Sequence, residues 1–138
     1  VRSVARIRAL GKKYNISKHR YCELYHMCLQ YNEWRQELAE HIDTIKSVEI
    51  TDMPSVHNPH RSTEELAIRR AELSERIKLI EETAKAADSE LSDYILYAVT
   101  NEDVTYDYLR RSRNMPAGKD KYYESRRKFY WMLDKRMK

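Results

Sequence analysis

TEELAIRRAELSERIKLIEETAKAADSELSDY, residues 63–94, decides the fold. Leu66, Arg70, Leu73, Ile77, Ile80, Ala84, Ala87, Leu91 and Tyr94 recur at alternating spacings of three and four, which aligns them along one stripe of an α-helix. Ser62 and Glu65 make an S-x-x-E capping box, so the helix should begin close to Thr63. At the far end, DSELSD (88–93) collects cap-forming residues, where the helix should stop and restart.

The same alternation precedes it. Behind Ser17, a suitable N-cap, come Tyr21, Leu24, Cys28, Tyr31, Arg35, Leu38, Ile42 and Ile45. They imply one helix from Ser17 to about Lys46, roughly 42 Å long at ~1.5 Å per residue. Pairing the two helices antiparallel sets Ile45 against Leu66, Leu38 against Leu73, Tyr31 against Ile80, and Cys28 and Leu24 against Ala84 and Ala87. Large residues then face small ones at one end, as close packing requires. Arg35 and Arg70 fall in the seam and call for Glu33, Glu37 or Glu72 as partners, or mark a homodimer contact through the hairpin. The connection 47–62, SVEITDMPSVHNPHRS, loses the period, with a short strand-like run at Val48 to Ile50, two prolines and Asn58. Connections of this length are usually functional or mobile. His57 and His60 flank Asn58 and Pro59, but without another ligand type nearby they read as a solvated loop and not as a metal site. His19, His26 and His41 on the first helix read as surface or interface residues.

Composition agrees with helices. Only two Gly and three Pro occur in 138 residues, so tight turns are few and a sheet is disfavoured. A mean hydropathy of −0.86 with 35% charged residues suits long helices that each expose a face. The length fits one domain, or two small modules sharing a core. Cys22 and Cys28, six apart on one helix, would lie about 9 Å apart, beyond disulfide reach. They read as reduced thiols of a cytoplasmic protein. No apolar run approaches the ~18 residues of a membrane span, and VRSVARIRALGKKY at the start lacks a signal-peptide core. The chain opens on Val1 and not on Met, which points to residues upstream. Val1, Val4, Ile7 and Leu10 alternate with Arg2, Arg6, Arg8, Lys12 and Lys13, so residues 1–16 read as a short basic helix or arm.

Charge is unevenly placed. From Tyr106 onward eleven Lys and Arg face four acids, a balance of +7 in a chain whose total is +4. This is the pattern of a polyanion-binding segment on a neutral or acidic scaffold. Tyr94 to Val99 makes a short apolar helix, Thr105 caps another with Tyr108 and Leu109 inward, and NMPAG (114–118) forces a turn. Asp120 should cap the last helix, on which Tyr123, Tyr130, Leu133 and Met137 with Tyr122 and Phe129 make an apolar face. Lys121, Glu124, Arg127, Lys128, Trp131 and Lys135 make the other face, in the manner of a recognition helix.

This order of elements resembles the helix-turn-helix of region 4 of bacterial sigma factors. More narrowly, Tyr122, Tyr123, Arg126, Arg127, Lys128, Phe129, Leu133, Lys135 and Arg136 resemble the C-terminal signature of phage late-gene transcriptional regulators of the RinA and ArpU kind. The likeness covers about the last 45 residues, and the turn of six residues, 114–119, is longer than the three or four of a minimal helix-turn-helix. It implies binding to double-stranded DNA at a late promoter beside host RNA polymerase, in the bacterial host's cytoplasm.

The expectation is therefore an all-α chain with three parts: the basic arm 1–16, a long antiparallel hairpin 17–92, and a helix-turn-helix module 93–138. Arg110, Arg111, Arg113, Lys119, Lys121, Arg126, Arg127, Lys128 and Lys135 are the candidate DNA contacts, with Arg127 toward bases and Lys128 toward phosphates. The plainer alternative is that these cations are only a solvated helix face. A second class of function, a phage adaptor or inhibitor that binds a host or phage protein complex, rests on the length of the hairpin. Trp34, His57, His60 and Trp131 would be its contacts. A small terminase subunit would be a variant of the first idea and would need a ring. No phosphate loop, nucleophile elbow or HExxH is present, and the carboxylates sit at helical surface spacings, so neither an enzyme nor a cofactor is expected.

Overall fold

The computed structural model describes residues 13–50 and 63–138, with side chains at 13–45 and 63–138. The fold is all-α: α1 (Lys18–Leu29), α2 (Tyr31–Ile50), α3 (Thr63–Ala87), α4 (Ser92–Thr100), α5 (Tyr106–Arg113) and α6 (Lys119–Arg136). Residues 1–12 of the basic arm, and His57 and His60 of the connection, lie outside the described residues.

Caps account for most of the boundaries. The Ser17 hydroxyl accepts from the Arg20 amide at 3.2 Å, and the Thr105 hydroxyl from the Tyr108 amide at 3.1 Å. Asp88 ends α3 by accepting the amides of Glu90 and Leu91 through Oδ1, at 3.1 and 3.2 Å. α5 stops at Asn114, which takes left-handed geometry (φ 54°), and the Asn114 and Met115 amides both turn back to the Leu109 carbonyl. Two expectations on boundaries fail. The single helix from Ser17 to Lys46 is interrupted at Gln30, whose amide donates to Met27 at 3.0 Å in a tightened last turn. α6 begins after Gly118, so Asp120 lies within its first turn and does not cap it.

The chain divides into two compact units, and the division differs from the one drawn on the sequence. The described residues up to Gln30 join Leu79–Lys138 in one unit, and Tyr31–Lys78 forms the other. α1 therefore belongs with the C-terminal helices and not with a separate stalk.

In the first unit α1, α4 and α6 pack on one another. Their core takes Leu24 and Cys28 from α1, Ile95 and Val99 from α4, and Tyr122, Phe129, Tyr130 and Leu133 from α6. Ile80, Ala84 and Ala87 from the end of α3 and Leu109 of α5 are buried with them. Tyr21 meets Tyr130 with ring centroids 4.8 Å apart. At the edge, Asp134 of α6, almost wholly buried, accepts from the Arg20 Nε at 2.7 Å.

In the second unit, Glu37 of α2 accepts from Arg69 of α3 through both carboxylate oxygens, at 2.7 and 3.1 Å. Arg76 lies over the Trp34 ring, 5.5 Å from its centroid. Later residues on α2 thus meet earlier residues on α3. The α3 stripe falls where its period put it: Leu73 and Ile77 are buried here, Ile80, Ala84 and Ala87 in the first unit. The α2 stripe does not. Tyr31 and Trp34 are buried, whereas Arg35 is exposed and Ile42 and Ile45 keep 42% and 37% exposure. Turning the helix by one residue hides the large indole in place of a guanidinium, the more favourable exchange. The acids Glu37 and Glu72 are taken by Arg69 and not by the seam arginines Arg35 or Arg70. Val48 to Ile50 belong to α2 and form no strand.

Candidate nucleic-acid interface

The nine candidate cations do not share one fate. Lys121 sits 3.4 Å from Asp88, whose carboxylate also accepts the Ser125 hydroxyl at 2.8 Å. Burial works against the Asp88 charge, but the Ser125 hydroxyl, the Leu91 amide and Lys121 outweigh it and lower its pKa. Lys121 is thus tied to an acid of the loop after α3. Arg126 is half-buried, with its Nε enclosed, among Tyr130, Tyr122 and Tyr21. Burial opposes its charge while these phenol oxygens favour it, and the net shift is upward. An arginine held this way braces the aromatic core.

Arg110 and Arg113 are exposed yet employed. The Arg110 Nη1 donates to the Met115 carbonyl at 2.7 Å, closing the turn after α5. The Arg113 guanidinium lies 3.8 Å from the centroid of Tyr97, close enough for a strong cation–π contact. Lys135 covers the Trp131 ring at 4.7 Å, and Tyr14 meets the same ring at 5.6 Å. Trp131 is therefore half-covered by its own chain, and Trp34 is buried, so neither is the free partner-binding indole expected from the sequence.

Arg111, Lys119, Arg127 and Lys128 are the remaining candidates. Arg111 and Lys119 are exposed and Arg127 and Lys128 half-exposed, none in an ion pair among the described residues. Helical geometry puts Lys128 and Lys121 seven residues apart on the outward side of α6, with Arg127 beside them. Two of the four acids after Tyr106 are in ion pairs. Glu124 pairs with Lys13 at 3.6 Å, and Asp134 with Arg20 and with Lys138, the latter at 3.4 Å. Arg20, donating to Asp134, holds that carboxyl below its ordinary value, and Lys138 adds to the effect.

One feature was not read from the sequence. Tyr97 and Tyr108 lie nearly parallel, 18° between planes, with centroids 6.2 Å apart. With Asp93, Tyr94, Ser112 and Arg113 they line an open cleft of about 460 Å³ in the first unit. Tyr108, expected to point inward, is 41% exposed. The Tyr97 hydroxyl and Arg113 hold its phenol below the ordinary value. The spacing Tyr108 to Arg113, five residues on a helix of eight, was the available signal, but its partner Tyr97 comes from another helix.

No helix among the described residues is long and apolar enough to cross a membrane, and no cluster of three or more His, Cys, Asp or Glu groups in them is arranged to hold a metal ion. Set against known protein families, characterised proteins and solved structures, the chain matches none.

Proposed function

We propose that the C-terminal part binds double-stranded DNA as a phage transcriptional regulator, through fewer residues than the sequence suggested. Arg127 and Lys128 on α6 are the central contacts, with Arg111 and Lys119 on the flanking phosphates. The observation that carries this reading is where the acids go. Two of the four acids after Tyr106 are met from outside that segment, Glu124 by Lys13 and Asp134 by Arg20, the latter sharing its carboxylate with Lys138, so most of the segment's own cations stay out of ion pairs among the described residues. Only Lys121 is lost to an acid beyond it. Backbone phosphates reward such an excess by releasing counterions, which makes affinity fall steeply with salt. The role at a late promoter beside host RNA polymerase rests on the resemblance of the Tyr122 to Arg136 pattern.

Fluorescence anisotropy of a labelled duplex at several salt concentrations tests the reading. Four phosphate contacts give a log–log slope of about −4, and removing Lys128 as Lys128→Ala makes it shallower by about one. A flat salt dependence, or no binding at low salt, removes the proposal.

A second reading, an adaptor that binds a protein complex, draws support from Ile42, Ile45 and Ile68 of the second unit, exposed at 42%, 37% and 54%. Purification of the tagged protein from host cells separates the two: a co-purified protein complex without retained DNA favours the adaptor.

A further inference from the structure

The Tyr97 and Tyr108 cleft has no structural task that requires its openness. Both rings could have been buried, as Tyr122 and Tyr130 are, yet Tyr108 stays 41% exposed at the rim of an approximately 460 Å³ cleft. One side of the Tyr108 ring lies against Tyr97. Tyr97 in turn carries the Arg113 guanidinium at 3.8 Å. The centroid separation of 6.2 Å is short of the two layers of ~3.4 Å that a base inserted between the rings would need. A planar ligand is therefore not admitted between the tyrosines and has to use the exposed part of Tyr108.

The groups of the cleft and its neighbourhood define the ligand. Arg111 stands three residues from Tyr108 on α5, on the same side of the helix, exposed and in no ion pair among the described residues. Asp93 and Ser112 line the cleft with acceptor oxygens, and Ser112 adds a donor. An aromatic platform, an anion-binding arginine beside it and acceptors for N–H groups together match a nucleotide whose base is free of the duplex stack. A base inside a duplex has no open π-face to offer.

We propose that this cleft binds one unpaired nucleobase, stacked on Tyr108, with the adjoining phosphate on Arg111 and the base edge on Asp93 and Ser112. The inference rests on the nucleic-acid reading above and names a second contact within it. It gives the protein a preference for duplex with an unpaired end or bulge over fully paired duplex.

The test is anisotropy with three labelled probes at one salt concentration: a blunt duplex, the same duplex with a short single-stranded overhang, and the single strand alone. The overhang probe should bind tighter than the blunt one by on the order of tenfold, the increment of one stacked base. Tyr108→Ala should abolish that increment and leave blunt-duplex affinity as it was, and Tyr108→Phe should keep it. Circular dichroism controls for folding, which the exposure of Tyr108 favours. Equal affinity for blunt and overhang probes, or a Tyr108→Ala loss that is the same for both, overturns the inference while leaving duplex binding standing. If the blunt duplex is not bound at all, the duplex reading fails alone. The single strand then decides the cleft: Tyr108-dependent binding sustains it, and absent or Tyr108-independent binding ends it.

Discussion

Asp134 shows how one side chain can redirect a reading. In sequence it is an acid among basic residues near the end of α6, and in the fold it is almost wholly buried against Arg20, 114 positions away. Replacing it as Asp134→Asn removes a buried charge-assisted hydrogen bond and leaves Arg20 with only the exposed Glu23 as an anionic partner. Denaturant titration should show a loss of about 2 kcal/mol. Because Arg20 holds the Asp134 carboxyl below its ordinary 3.8, the contribution is complete above that value and is lost as pH falls further, through the folded-state pKa. The variant should therefore lose less stability than the parent on acidification below about pH 4, as thermal melts across pH would record. Asp88 acts in the same direction, since its pKa is also lowered. Cys28 gives a second test at this scale. Burial pushes its thiol far above the ordinary range, so it should resist alkylation by iodoacetamide in the folded protein and react only on unfolding. Cys22, half-buried, should react first.

At the level of elements, α3 was legible and α2 was not. Every position of the α3 stripe from Leu73 to Ala87 is apolar, so no rotation of that helix hides more carbon. α2 offers two choices one residue apart, a stripe through Arg35 and Ile42 or one through Trp34, and a period cannot rank them. Burial of the indole does. Caps such as Ser17 and Thr105 were legible because their bonds reach only three residues. The ion pair that occupies Lys121 joins segments far apart in sequence, and no local pattern announces it, whereas Arg126 is enclosed mainly by Tyr130 and Tyr122, four residues away on its own helix. The turn after α5 carries its own prediction. Asn114 occupies left-handed backbone geometry at φ 54°, where β-branched side chains clash. Asn114→Gly should stay within about 0.5 kcal/mol of the parent, while Asn114→Val should cost about 1–2 kcal/mol by the same denaturant measurement.

For the molecule as a whole, the exposed isoleucines and the C-terminal cations fall in different units. The cations without ion pairs after Tyr106 belong to the first unit, and the exposed isoleucines Ile42, Ile45 and Ile68 belong to the second. Such isoleucines promote contact with another chain. If that chain is a second copy, light scattering should show mass rising with concentration, and Ile42→Glu with Ile45→Glu should return the protein to monomer. DNA affinity measured at low protein concentration should be unchanged, because the cations lie elsewhere. A monomer at all concentrations would leave those isoleucines to a different protein. Composition announced the charge imbalance but not its division, because α1 carries Arg20 into the C-terminal unit and so supplies part of the neutralisation.

Trp131 has a use of its own. Its half-buried ring meets both Tyr14 and the Lys135 ammonium, and the chain has only one other indole, Trp34. Fluorescence of this residue is thus a built-in optical reporter: a ligand that draws Lys135 away or displaces Tyr14 alters its emission without any attached dye.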